Sequence, residues 1–321
     1  MAYIDVFNGD ADGLCALHQL RLAHPVDAAL ITGVKRDISL VKRVKAEAGD
    51  QVTVLDISLD KNRDAVLDVL AAGASVFYVD HHFAGEIPES EQLTTLINMD
   101  ANVCTSLLVN AHLQGAYLPW AVTAAFGDNL FDSARAAAVP LGLSDEKLQS
   151  LEHLGTLLNY NGYGTSLDDL FYNPEDLYKA MQPFGSPFDF IAQSEAYQVL
   201  ADGYASDMAK AEVLPMASED AATAVLMLPD EAWTRRVSGV YGNALARDFP
   251  NRAHALVTVM DNGNYRISVR APLTNKTGAD ELCMMFPTGG GRKAAAGIND
   301  LPKDQLDDFI AAFKKQYGNA D

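Results

Sequence analysis

Basic residues are scarce: 24 Lys+Arg stand against 43 Asp+Glu in 321 residues, a formal charge of −19. So acidic a surface repels a polyanion, which excludes long DNA or RNA as a partner unless a local basic patch or bound cations hold it. Cysteine is scarce as well. Cys15, Cys104 and Cys283 are far apart and lack any CxxC spacing, so neither a disulfide framework nor a structural zinc site is indicated. No run approaches the ~20 apolar residues of a membrane-spanning helix. The start, MAYIDVFNGDADG, puts acids where a signal peptide carries a basic and then an apolar region. A cytoplasmic protein with no membrane partner is therefore expected. No GxGxxG follows the first apolar run, so nothing recommends a dinucleotide cofactor.

What is present is a globular composition, 49% hydrophobic, long enough for one large or two medium domains at roughly 100–200 residues each. The first hundred residues repeat apolar run, turn and amphipathic helix. The runs are Tyr3–Phe7, Ala28–Thr32, Val52–Leu55, Ser75–Val79 and Thr94–Ile97. Strands of this kind alternating with helices imply a Rossmann-like, mainly parallel sheet covered on both faces. From Ala101 to Tyr178 the pattern turns helical, with Asn159–Gly164 (NYNGYG) reading as a loop, and Phe188–Ala211 reads as one connecting helix. A second α/β unit follows: a strand near Thr223–Leu228, a helix near Asp230–Ala246, strands Ala255–Met260 and Tyr265–Val269 joined by an Asp261–Asn264 hairpin, a Gly-rich loop and a closing helix Lys303–Tyr317. The expected division is 1–190, a linker helix 191–216 and 217–321.

Chemistry gathers at the carboxyl ends of the first unit's strands. The first runs into Asn8-Gly9-Asp10-Ala11-Asp12-Gly13, the third ends on Asp56, the fourth on Asp80-His81-His82, and a helical segment ends at Gly127-Asp128-Asn129. In an open parallel sheet these ends line the ligand crevice. Each piece has a plainer use: Asp-x-Asp-Gly as a turn with an N-cap, Asp56 as a helix cap, His-His as a structural pair. Four acidic motifs in one crevice are costly without neutralising cations, and carboxylates with imidazole suit Mn²⁺ or Mg²⁺. In the second unit, Gly289, Gly290 and Gly291 let backbone N–H groups approach a phosphate, with Arg292 and Lys293 beside them.

The ordered set Asp-x-Asp-Gly, strand-end Asp, Asp-His-His, Gly-Asp-Asn resembles the DHH phosphoesterase superfamily, which includes RecJ-type exonucleases, nano-RNA and cyclic-dinucleotide phosphodiesterases and family II pyrophosphatases. Ser268-Val269-Arg270 and the run Phe286–Gly297 (FPTGGGRKAAAG) resemble the DHHA1 substrate-binding domain, a pairing that argues against the pyrophosphatases. The resemblance covers nearly the whole chain. It implies a DHH domain joined by a helical linker to a smaller α/β DHHA1 domain. It also implies two cations: Asp12, Asp56, His81 and Asp128 would hold one, and Asp10 and Asp56 the other, with Asp56 as the bridge. Asp56 and His82 are then the catalytic residues, and Asn8, His82, Arg270, Gly289, Gly290, Gly291, Arg292 and Lys293 contact substrate, Arg270 as a phosphate clamp.

Two positions depart from the family. Val6 stands four residues before Asp10, where many members have His, leaving Asn8 or a water to fill the gap and weakening the second cation site; Arg292 replaces the usual His after the glycines. Mn²⁺ is the expected cofactor, with Mg²⁺ or Co²⁺ able to substitute. The expected activity is phosphodiester hydrolysis of linear dinucleotides, nano-RNA or cyclic dinucleotides to mononucleotides. Two alternatives stand beside it, a RecJ-like 5′→3′ single-strand exonuclease and a non-catalytic nucleotide sensor. The exonuclease is disfavoured because it needs an extended basic channel, usually on an added OB-type domain, for which 321 residues leave no length. Long duplex DNA is not an expected partner, and a homodimer is left open.

Overall fold

Strand β1 (Tyr3–Phe7) is buried along all but its first residue, so both its faces must be covered. It pairs in parallel with β2 (Ala28–Ile31) and β3 (Gln51–Leu55), and β4 (Ser75–Asp80) and β5 (Leu93–Ile97) extend the sheet on the β3 side. The order β2-β1-β3-β4-β5 is wholly parallel and reverses direction between β1 and β3. The computed structural model describes residues 1–318. The chain divides into two compact units, Met1–Asp202 and Gly203–Asp321.

In the first unit, helix α1 (Ala11–Ala23) is buried from Ala11 to Leu20, as expected of a helix surrounded by others. Helices α3 (Thr105–His112), α4 (Leu118–Gly127) and α6 (Asp145–Gly162) pack against it. Helix α2 (Leu59–Ala71) lies against β4, where Val66, Val69 and Leu70 join Val6, Val52, Val54 and Tyr78 in one apolar cluster. Val6 is thus a core residue with no polar role. Asp5, a charge in a buried strand, is held by Arg21 through a two-pronged pair, Nε to Oδ2 at 2.8 Å and Nη2 to Oδ1 at 2.5 Å. Such a pair adds little over an apolar isostere, but removing one partner strands a buried charge.

His18, on α1, donates from Nε2 to the Phe184 carbonyl at 2.8 Å and sits edge-on to Trp120. Burial lowers its pKa to about 4. The unfolded chain therefore takes up this proton near pH 6.5 while the folded chain resists until about pH 4. Stability present above pH 6.5 is lost as pH falls through that window, by up to about 3 kcal/mol. The variant His18→Gln keeps an N–H donor and does not titrate. Its melting temperature should fall less than that of the wild type between about pH 7 and pH 4.5, and parallel profiles would contradict this account.

The helical stretch differs from expectation in two places. Asn159–Gly162 continues α6, because the polar side chains that favour turns find tertiary partners: Asn161 bonds both the N–H and the carbonyl of Tyr172, at 3.1 and 2.9 Å. The expected connecting helix is two helices, α8 (Pro187–Gln193) and α9 (Glu195–Glu212), separated by Ser194 in extended conformation. Between them and α6 lies α7 (Pro174–Met181), and α5 (Phe131–Ala138) follows α4. No helix among the described residues is long and apolar enough to cross a membrane.

The second unit is a six-stranded mixed sheet. Strands β6 (Met216–Glu219), β7 (Thr223–Leu228), β8 (Ala253–Val259), β9 (Tyr265–Arg270), β10 (Gly289–Arg292) and β11 (Ala295–Leu301) lie in the order β10-β11-β9-β8-β7-β6, with only β7 and β8 parallel. Helix α10 (Ala232–Asp248) connects β7 and β8, and α11 (Ala279–Met284) and α12 (Leu306–Tyr317) contribute Leu282, Phe309 and Phe313 to the core. The β8–β9 turn has Gly263 at φ +81°, as the Asn-Gly sequence requires. The Gly-rich segment is a correction: Gly289–Arg292 is an edge strand and the alanines after it form its hairpin partner.

Candidate metal centre

The β1/β3 switch point is where a doubly wound sheet opens a crevice, and the acidic residues meet there. Asp10 is the N-cap of α1, its Oδ1 accepting from Asp12 N at 3.1 Å and Gly13 N at 3.2 Å. A side chain on Gly13 would collide with the Asn8 carbonyl, its Cβ lying 2.1 Å away, so the tight turn after β1 demands glycine. Two residues on, Asp12 is buried and accepts from Thr105 N and Ser106 N, both at 2.7 Å, at the first turn of α3. Asp56 follows β3 with φ +59°, a left-handed conformation that non-glycine residues seldom adopt, and its N–H bonds the Val79 carbonyl at 3.1 Å. Asp128 caps the end of α4.

His81 stands at the centre. Its Nδ1 lies 2.8 Å from the Val103 carbonyl, and because a carbonyl only accepts, that nitrogen carries the proton. Its Nε2 lies 3.4 Å from Asp56 Oδ1, 3.7 Å from Asp128 Oδ2 and 3.9 Å from Asp12 Oδ2. Three buried carboxylates converging on one imidazole nitrogen repel one another unless positive charge stands among them. Asp128 Oδ2 is moreover buried with no hydrogen-bond partner. Ligand atoms of Asp12, His81 and Asp128 lie within 4.8 Å of one another, as do those of Asp56, His81 and His82. Oxygen and imidazole donors suit a hard or borderline divalent cation, so these residues fit such an ion.

The electrostatics agree. Burial, then the charges of Asp12, Asp10, Asp128 and Asp80, push the Asp56 carboxyl well above the usual range. Burial also raises Asp128, with Asp12 and Asp10 adding to the effect against Lys35 and His81. Burial and the neighbouring aspartates push the Cys15 and Cys104 thiols far up, which makes them core residues and not nucleophiles. His82 Nδ1 bonds Asp80 Oδ1 at 2.8 Å, and its side chain stays 39% exposed, the most accessible of the cluster.

Two participants had no legible motif. Lys35, in the loop after β2, ion-pairs with Asp10, donates to Asn159 Oδ1 at 2.9 Å and lies 3.6 Å from Asp128 Oδ1. Burial opposes its charge, but attraction by Asp10, Tyr163 and Asp128 outweighs this and holds the ammonium well above an ordinary lysine. Asn159 comes from the segment expected to be a loop. Asp80, the first residue of the Asp-His-His motif and given no role of its own by the sequence, is fully buried behind His82, with Oδ2 unpartnered. The one hint in the sequence was the missing ligand at Val6. Asn8 lies in the cluster too, donating to the Lys35 carbonyl at 3.3 Å.

The remaining expected residues are in the second unit. Arg270, at the end of β9, uses its guanidinium on Asn243 Oδ1 at 2.7 Å, Ser268 Oγ at 3.0 Å and the Val269 and Gly239 carbonyls. Gly289 and Gly291 have packing reasons of their own: a Cβ would fall 1.8 Å from the Cys283 carbonyl and 2.4 Å from Ala296 Cα, respectively. Gly290 faces open space, and Arg292 and Lys293 are exposed.

No protein-family model matches the chain, and no curated protein matches it in sequence. Solved structures do match. Exonuclease RecJ bound to manganese aligns over 98% of this chain and 89% of its own, at 17% identity and TM-score 0.62. The pGpG-specific phosphodiesterase PggH of Vibrio cholerae aligns over 98% of both chains, at 15% identity and TM-score 0.57. RecJ of Thermus thermophilus in complex with Mn²⁺ aligns at 17% identity and TM-score 0.57, this chain spanning about half (51%) of its length. The chain has the RecJ-like DHH fold, a parallel five-stranded sheet followed by a second, mixed sheet.

Proposed function

We propose that this protein is a divalent-cation-dependent phosphodiesterase that hydrolyses short nucleotide substrates, whether linear dinucleotides, nano-RNA or cyclic dinucleotides, to mononucleotides. The observation that carries the reading is the convergence of the Asp12, Asp56 and Asp128 carboxylates on His81 Nε2. A divalent cation there, Mn²⁺ by preference for its tolerance of imidazole, would supply a lowered water pKa and positive charge opposite the phosphate oxygens. Asp12, Asp56, His81 and Asp128 would hold it. His82, oriented by Asp80 and open to solvent, would donate to the phosphate or leaving group, and Asn8 would contact the substrate. Gly290, Arg292 and Lys293 would supply substrate contacts from the second unit. Arg270, whose donors are engaged, would serve there only after exchanging partners.

Substrate length follows from charge. A chain at −19 disfavours a long polyanion but admits a few phosphates where cations neutralise the carboxylates. PggH, with the same fold, is specific for the dinucleotide pGpG. The test is a panel of a dinucleotide, a pentanucleotide, a twenty-nucleotide strand and cyclic dinucleotides, given to metal-stripped protein resupplied with Mn²⁺. The dinucleotide or its cyclic form should rank first in kcat/KM. Preference for the long strand would favour a RecJ-like exonuclease, and binding with no turnover a sensor.

A further inference from the structure

We propose that the Lys35 ammonium permanently takes the place of one of the two cations, so that this protein holds a single divalent ion and works with a lysine–metal pair. The inference rests on the divalent-cation reading above and deepens it. Three observations carry it. The ligand position four residues before Asp10 is filled by Val6, fully buried among Val52, Val54 and Ile4, so no donor reaches the crevice from β1 there. Asp10 is committed elsewhere: Oδ1 caps α1, Oδ2 is ion-paired with the Lys35 ammonium, whose charge repels a cation, and neither close group of ligand atoms includes Asp10. Finally, Lys35 is built in. Its N–H donates to the Gly162 carbonyl at 2.9 Å, its carbonyl accepts from Asn8, and its ammonium is held by Asn159 at 2.9 Å under the ring of Tyr163.

A fixed ammonium between Asp10 and Asp128 supplies the charge that a second ion would, and repels that ion. It cannot ionise a water, so that task stays with the ion at His81 and its aspartates, and Lys35 is left to face a phosphate oxygen. The experiment is ion counting. Metal-free full-length protein is titrated with Mn²⁺ by calorimetry, the bound metal is measured after desalting, and the low-temperature EPR spectrum is recorded. The wild type should bind one Mn²⁺ with the spectrum of an isolated ion. Lys35→Met should bind two, with the spectrum of an exchange-coupled pair, and Lys35→Arg should stay at one. Two ions in the wild type, or one in both the wild type and Lys35→Met, overturns the proposal and leaves the phosphodiesterase reading standing. No ion in the wild type overturns that reading itself. The wild-type count needs no variant to fold.

Discussion

Asp56→Asn should reduce turnover by about 10³–10⁴-fold at saturating Mn²⁺, the several kcal/mol that cation-centred charge stabilisation supplies in phosphoryl chemistry. Asparagine is the informative replacement because Asp56 sits at φ +59°, a conformation Asn tolerates and Ala does not. Asp56→Ala would mix backbone strain with lost chemistry. A second readout separates a ligand from a structural residue. Without metal, the Asp56 charge is opposed by burial and by Asp12, Asp10, Asp128 and Asp80. A carboxyl whose folded pKa is raised destabilises the fold once pH exceeds its unfolded value. In EDTA at about pH 8, Asp56→Asn should therefore melt at or above the wild-type temperature. Adding Mn²⁺ should raise the wild-type melting temperature more than the variant's. Full activity in the variant, or equal metal-dependent shifts, would remove Asp56 from the centre.

The strand-end acids were legible because a parallel sheet collects every carboxyl end on one edge, so Asp10, Asp12, Asp56 and His81 could be grouped before any strand order was known. The order itself was not legible. Only the pairing of β1 with both β2 and β3 puts Asp56 beside Asp12 and brings the loop carrying Lys35 over Asp10. No local pattern marks that lysine, since its partners are 25 and 124 residues away in sequence. Local propensity misled at two further places. Asn and Gly suggested a loop at Asn159–Gly162, where tertiary hydrogen bonds keep the helix intact. Three glycines suggested a loop, whereas Gly289–Arg292 is a strand of a hairpin in which Gly289 and Gly291 lie tight against Cys283 and Ala296.

The scarcity of basic residues takes on a narrower meaning at the centre. Asp10, Asp12, Asp56, Asp80 and Asp128 belong to one crevice, and each is nearly or wholly buried. Under the proposed function, the charge that would meet a phosphate is set locally, by Lys35 and by an ion that His81 and the aspartates would hold.

Asp12→Asn should be the most damaging conservative change to the fold. Helix α3 has no side-chain cap of its own, and Asp12 supplies one from α1, its two oxygens accepting from Thr105 N and Ser106 N at 2.7 Å each. A carboxylate is complementary to both N–H groups and to the positive end of the helix. An amide keeps one acceptor and turns its NH₂ toward the other N–H, leaving a buried donor facing a donor. Losing a charge-assisted bond and creating that clash costs about 2–4 kcal/mol, and in a unit of this size should lower the melting temperature by roughly 4–16 °C. Because α3 is capped whether or not metal is present, the loss should persist in EDTA, offset in part by relief of the Asp12–Asp56 repulsion, whereas Asp56→Asn should show no loss there. Turnover should fall as well, since the same carboxylate faces His81 Nε2 at 3.9 Å. Thermal melts of the two variants with and without Mn²⁺ thus separate an aspartate that holds the scaffold together from one whose charge the apo fold must endure, and an unchanged melt for Asp12→Asn in EDTA would contradict the capping role.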